Sequence, residues 1–155
     1  MSDVAFNIVD ARSRPAIEAM TAYFDELDGI FDGGFDPGDT LVADAGSFDP
    51  PDGAFVIAHI DDVVAGCGGV LRLGPGTAEI KRMWVDPECR GRGVARQTLG
   101  ELERLAIEIG ASTVRLDTNA SLHGAIAMYE AAGYRSIDRY NENPYAQRWF
   151  EKTLG

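Results

Sequence analysis

The sequence predicts a mixed α/β fold built on a largely antiparallel sheet. Three observations carry this reading. Short apolar or β-branched runs follow one another between residues 54 and 85 with tight turns between them, amphipathic helical spacing flanks them on both sides, and glycines stand where helices should end. With 155 residues and 45% hydrophobic content, the chain has the size of one domain spanning residues 1–155, which buries roughly 70% of its unfolded surface on folding. No internal repeat, low-complexity tract or linker divides it.

Val4 to Val9 alternates as a first strand should. Pro15 then opens a helix whose apolar positions Ile17, Met20, Tyr23, Phe24 and Leu27 recur at helical spacing, and Gly29 is placed to end it. Phe31 to Asp52 is rich in Gly, Pro and Asp; it reads as a binding loop with a short helix around Thr40 to Ala45. Ala54 to Ile60 and Val63 to Leu71 read as strands joined by Asp61-Asp62, and Gly74-Pro75-Gly76 turns the chain into a third strand, Ala78 to Val85. Ala95, Leu99, Leu102, Ala106 and Ile109 share one helical stripe that Gly110 closes. Thr113 to Leu116 is a short strand, Ser121 is placed to cap a helix through Ala132 that stops at Gly133, and Tyr134 to Asp138 and Arg148 to Lys152 read as closing strands around the turn-rich Asn141-Glu142-Asn143-Pro144.

Charge is unevenly divided. Residues 1–62 hold fourteen Asp or Glu against Arg12 and Arg14, or −12, while the remainder sums to +1 within a total of −11. Such an acidic first half serves either as a solvated surface or as a wall that draws in a cation, and so acidic a chain is not expected to bind nucleic acid. No apolar run approaches the roughly 18 residues of a membrane span, and the acidic start at Asp3 does not read as a secretory leader, so a cytoplasmic protein with no membrane partner is expected. Cys67 and Cys89 lack metal-ligand spacing and read as free thiols, Cys67 as a packing residue and Cys89 as either packing or reactive. His59 and His123 stand alone, and no metal site is expected.

The most informative stretch is Arg90-Gly91-Arg92-Gly93-Val94-Ala95, which joins an apolar strand to the start of an amphipathic helix. Unpartnered N–H groups and the positive end of the helix dipole attract phosphate oxygens there, and glycine lets the backbone approach. Lys81, Arg82, Arg90, Arg92 and Arg96 gather around it in an otherwise acidic chain. A dinucleotide fingerprint would need Gly or Ala where Arg96 stands, and the G-x-x-x-x-G-K-[ST] loop is absent.

What fits is R-x-x-G-x-A, read as Arg90, Gly93 and Ala95, preceded by Glu79-Ile80-Lys81-Arg82-Met83-Trp84-Val85-Asp86-Pro87 and followed by Met128-Tyr129-Glu130-Ala131-Ala132-Gly133-Tyr134. In order and spacing this resembles the GNAT superfamily of N-acetyltransferases, from about Gly53 to Lys152 and most strongly from Glu79 to Tyr134. The resemblance implies a mixed, largely antiparallel sheet, splayed open where acyl-CoA inserts and flanked by helices on both faces. It implies acetyl-CoA as co-substrate, with the pantetheine along Met83, Trp84 and Val85 and the pyrophosphate against Arg90, Gly91, Arg92, Gly93, Val94 and Ala95. Main-chain N–H groups near Met83 to Val85 would hold the thioester oxyanion, and Tyr129 would be the general acid at the CoA sulfur.

Glu79 is the candidate base, directly or through a water, or else a structural partner of Lys81; Tyr129 is otherwise a core tyrosine satisfied by a carbonyl. Many members place an asparagine seven residues before the helix tyrosine to bond the pantetheine arm, and here that position is Leu122. Asn119 is the candidate replacement, or a local capping residue. Asn141, Asn143, Tyr145 and the Phe31 to Asp36 segment would border the acceptor pocket. The expected activity is acetyl transfer to a small-molecule or peptide amine by direct attack in a ternary complex; the rival reading is an acyl-CoA sensor without turnover. Homodimers occur among relatives, and no exposed apolar stripe in the sequence decides the point here.

Overall fold

A computed structural model describes residues 4–37 and 45–154. In chain order it contains β1 (Val4–Val9), α1 (Arg14–Ile30), β2 (Gly53–Ile60), β3 (Val63–Gly74), β4 (Thr77–Val85), α2 (Val94–Ile109), β5 (Thr113–Thr118), α3 (His123–Ala131), β6 (Arg135–Ile137) and β7 (Arg148–Thr153). Short 3₁₀ turns lie at Ala45–Phe48 and Pro87–Cys89. The helix expected around Thr40 to Ala45 lies outside the described residues except for Ala45, where the first of these turns begins.

One sheet runs β1-β2-β3-β4-β5-β7-β6, antiparallel at every step except β4–β5. Helices cover both faces. On one, α1 packs Ala16, Met20, Phe24 and Leu27 on Phe55, Ile57, Cys67 and Trp84; on the other, α2 and α3 pack Leu99, Leu102, Leu105, Ile126 and Tyr129 on Val56, Val70, Ile80, Val114 and Phe150. This is the periodicity of two in the strands meeting that of 3.6 in the helices.

The single parallel pairing is short. β4 and β5 are in register only at Thr77↔Thr113, Ala78↔Val114 and Glu79↔Arg115, after which β4 runs on to Val85 along β3 and β5 to Thr118 along β7 without pairing with each other. The divergence coincides with a bulge: the β3–β4 register jumps between Gly69↔Lys81 and Cys67↔Trp84, so that Gly68 faces both Arg82 and Met83, and Arg82 takes φ 60°. A bulge bends its strand and increases its twist. Gly66 permits the close approach beside it, because a Cβ there would lie 2.2 Å from the Trp84 carbonyl oxygen.

Two helix boundaries differ from the sequence expectation. α1 continues through Gly29 to Ile30, and the Phe31 N–H closes it on the Leu27 carbonyl at 2.9 Å. α3 starts at His123 rather than after a Ser121 cap, because Asn119 Oδ1 accepts from both the N–H (2.9 Å) and the hydroxyl (2.6 Å) of Ser121 and holds it in a separate turn. Cys67 and Cys89 are both buried and free, and burial pushes the Cys67 thiol up to about 12, so both cysteines are packing residues.

Candidate active site

The splay between β4 and β5 opens into a cleft of about 1050 Å³, bounded by the end of α1, the β4 strand, the turn into α2, the start of α3 and the β6–β7 loop. At its α2 end, Gly91 and Gly93 have φ values of 81° and 77°, and Gly93 is the N-cap of α2. Having no side chain, it leaves the first amides uncapped, and the first intrahelical bond is that of Gln97 N–H to the Gly93 carbonyl at 3.1 Å. The N–H groups of Val94, Ala95 and Arg96 therefore have no intrahelical acceptor. Arg92 and Arg96 are exposed and form no ion pair among the described residues. This anion-seeking turn suits a diphosphate.

Arg90 is engaged differently. Its guanidinium holds the Glu26 carboxylate of α1 at 2.6 and 2.7 Å, and its Nε donates to the Val85 carbonyl at 3.2 Å. Trp84 Nε1 also donates to Glu26, at 3.2 Å, and the Trp84 ring lies in the α1-facing core, so only the backbone of Trp84 borders the open strand edge. The Asp86 N–H bonds back to the Ala65 carbonyl at 2.8 Å. By the alternation of an antiparallel ladder, the Val85 N–H and C=O both face the open side. Met83 lies along the same wall.

Glu79 stands where the two strands part and is only 5% exposed. Tyr140 donates to its Oε2 at 2.6 Å, Asn141 Nδ2 approaches the same oxygen at 3.4 Å, and Lys81 Nζ is 3.9 Å from Oε1. Burial holds its carboxyl above the usual carboxylate range, and Asp117 adds to the rise, whereas Tyr140 and Lys81 oppose it. The pair with Lys81 is thus the longest of its contacts, and the hydroxyl and amide are the closer ones. Asn141 ties the site together: it also donates to Asp117 Oδ2 at 2.5 Å and accepts from Trp149 Nε1 at 3.0 Å, while Asn143 Nδ2 donates to Asp117 Oδ1 at 3.2 Å.

Across the cleft, Tyr129 is 7% exposed with its ring against Tyr134 and Phe150. Its hydroxyl has no hydrogen-bond partner among the described residues; the carbonyl that a core tyrosine would need is not there. Burial, and then Asp117, raise its pKa, and the hydroxyl stays protonated. Tyr23 of α1 also lines the cleft, with its own pKa raised by burial and by Tyr129. Asn119 borders the cleft too, but its Nδ2 donates to the Tyr145 carbonyl at 2.8 Å and its Oδ1 is taken by Ser121, the local capping arrangement.

Asn141, Asn143, Tyr145, Phe31 and Phe35, which the resemblance would set at the acceptor pocket, all line the cleft. Asp117, Tyr23 and Glu26 line it in addition, and Tyr140 joins the site through its bond to Glu79. Asp117 lies on the polar face of a strand whose Val114, Leu116 and Thr118 are buried, a pattern that reads as solvent-facing until the splay is known. No cluster of metal-ligating side chains occurs among the described residues.

Known proteins place this geometry. A family model described as "Acetyltransferase (GNAT) family" matches residues 19–134. An "IAA acetyltransferase" of Azospirillum brasilense is 30% identical over 140 residues, covering 90% of either chain. The fold is shared with a GNAT-family acetyltransferase of Staphylococcus aureus Mu50 (TM-score 0.80, 20% identity, covering 97% of this chain and 100% of that one). It is shared also with a GNAT-family acetyltransferase of Elizabethkingia anophelis solved with acetyl-CoA bound (TM-score 0.71, 16% identity, covering 99% and 100%). The sheet that parts beyond Glu79, and the glycine turn beside that parting, are those of a chain that belongs to the GNAT family of acetyltransferases.

Proposed function

We propose that the chain acts as one domain that transfers an acetyl group from acetyl-CoA to a primary amine, by direct attack within a ternary complex. The observation that carries this reading is the juxtaposition, in one cleft, of a buried Glu79 carboxyl and a Tyr129 hydroxyl without a partner among the described residues, next to an uncapped helix start. The residues fit the donor. The amides of Val94 and Ala95, with Gly91, Arg92 and Gly93, would cradle the diphosphate, and the open edge of Met83, Trp84 and Val85 would take the pantetheine arm. Bound there, acetyl-CoA supplies an activated acetyl carbonyl.

The chain's own groups then do three things. Glu79 receives a proton from the incoming ammonium, directly or through a water; its raised pKa brings it nearer to that task than an ordinary carboxylate. The Val85 N–H, turned to the open side, stabilises negative charge on the carbonyl oxygen. Tyr129, protonated at rest, gives its proton to the departing thiolate and regains one, through water, from the nitrogen that has just bonded the acetyl carbon. The amine nitrogen gains the acetyl carbon, the C–S bond breaks, and no covalent enzyme intermediate forms. Arg90 acts by positioning: it joins Glu26 of α1 to the strand edge.

Release of free CoA from acetyl-CoA across a panel of amines tests the reading. Turnover with at least one amine, lost in Tyr129→Phe and Glu79→Gln, supports transfer. Acetyl-CoA binding with no thiol release from any amine favours the sensor reading instead.

A further inference from the structure

Resting on the transfer reading, we propose that the acceptor is a primary amine carried a short linker away from an aromatic ring, with no carboxylate beside the amine.

One wall of the cleft is aromatic. Tyr23, Phe31, Phe35 and Tyr145 are half-buried, and all of them line the cleft. Their rings form a continuous surface: Phe35 and Tyr145 lie 4.5 Å apart between centroids, and Phe31 and Tyr145 are stacked at 5.9 Å with 22° between planes. Phe24, buried behind them, contacts Phe35 at 5.2 Å. A further ring can add to such a set at the same spacing, gaining over an aliphatic chain of equal area.

The wall is fixed to the catalytic groups. The Tyr145 hydroxyl accepts from the Asp36 N–H at 2.9 Å, and the Tyr145 N–H bonds to Asn143 Oδ1 at 3.0 Å. Asn143 in turn binds Asp117, and Asn141 joins Asp117 to Glu79. The rings and the carboxylates are therefore neighbours in one hydrogen-bonded network, so the linker between ring and amine is short.

The charge side concerns Asp117. Both its oxygens are bonded by neutral amides, and it forms no ion pair among the described residues. An ammonium entering between Asp117 and Glu79 supplies the missing positive charge, and the Tyr129 hydroxyl, without a hydrogen-bond partner among the described residues, adds a polar group to the same cleft. A carboxylate next to the amine would meet both acids. The Lys and Arg side chains lining the cleft are already engaged, Lys81 near Glu79, Arg90 with Glu26 and Arg82 over the Phe24 and Phe48 rings. Electrostatic complementarity of this kind selects by exclusion as much as by attraction.

Steady-state acetylation of phenethylamine, phenylalaninamide, phenylalanine, butylamine and spermidine separates the outcomes. The two uncarboxylated aromatic amines should show the highest kcat/KM, with phenylalanine at least ten-fold below phenylalaninamide. Asp117→Asn should narrow that gap, and Phe35→Leu should raise KM for phenethylamine several-fold more than it raises KM for butylamine. Preference for spermidine or butylamine, or parity between phenylalanine and its amide, would overturn this proposal and leave the transfer reading standing. No CoA release with any of the five, or with a wider amine panel, would overturn both.

Discussion

Glu79 and Tyr129 both sit where burial raises their pKa above the ordinary value. Glu79 is buried beside Asp117, so its folded-state pKa lies above the unfolded value, and the proton is held more tightly in the folded chain. Stability linked to that proton is fully present below the unfolded value near 4.3 and falls as pH rises through the folded pKa. Glu79→Gln is therefore expected to melt higher than the parent at pH 7 and to match it at acid pH, while kcat/KM drops roughly 100-fold and the acidic limb of its pH profile disappears. Calorimetric melting at the two pH values, with rates on the same samples, checks this. Tyr129→Phe removes an oxygen that nothing in the described protein bonds, so melting should be unchanged and kcat should fall by about two orders of magnitude. A large loss of stability in that variant would mean the hydroxyl has a structural partner.

Among elements, α1 and the donor turn meet through one ion pair, Arg90 with Glu26, which also anchors Trp84. Neutralising it in Glu26→Gln leaves the Arg90 charge to the diphosphate, and acetyl-CoA should bind several-fold more tightly; weaker binding by calorimetry would show that Glu26 holds Arg90 in its working position. On the far side, Arg115 and Arg135 both bond Glu151 and join β5, β7 and β6. These bonds lower the Glu151 pKa, so its stabilisation is present above the unfolded value near 4.3 and is lost as pH falls through the folded one. Glu151→Gln should cost about 0.5–1 kcal/mol at neutral pH, given solvent screening, with the difference vanishing in acid by denaturant titration.

Most elements were legible because their signals are local: the apolar runs of β2 to β4 between tight turns, the stripe on α2, and Gly110 at φ 101° as its cap. The insertion of β7 between β5 and β6 was not, since strand order depends on pairing between distant segments. The same reason hid Tyr140 and Asp117, whose partners Glu79 and Asn141 are brought in by that order. Asn119 was legible as a polar residue at the right place but not as one already bonded at both ends.

On the scale of the whole molecule, a sheet held together at one end and parted at the other gives a donor a strand edge to pair with and a helix start to grip. Charge is divided along the chain as well, with the acids concentrated in residues 1–62 and the basic turn tied to α1 through Arg90 and Glu26. No helix of the described residues is long and apolar enough to cross a membrane. Amide hydrogen exchange with and without saturating acetyl-CoA tests the central claim most directly. Slowed exchange at Val85 and at Gly91 through Arg96 is expected, with little change from ATP at equal concentration. Saturation by acetyl-CoA that leaves those amides unchanged and protects another surface would contradict it.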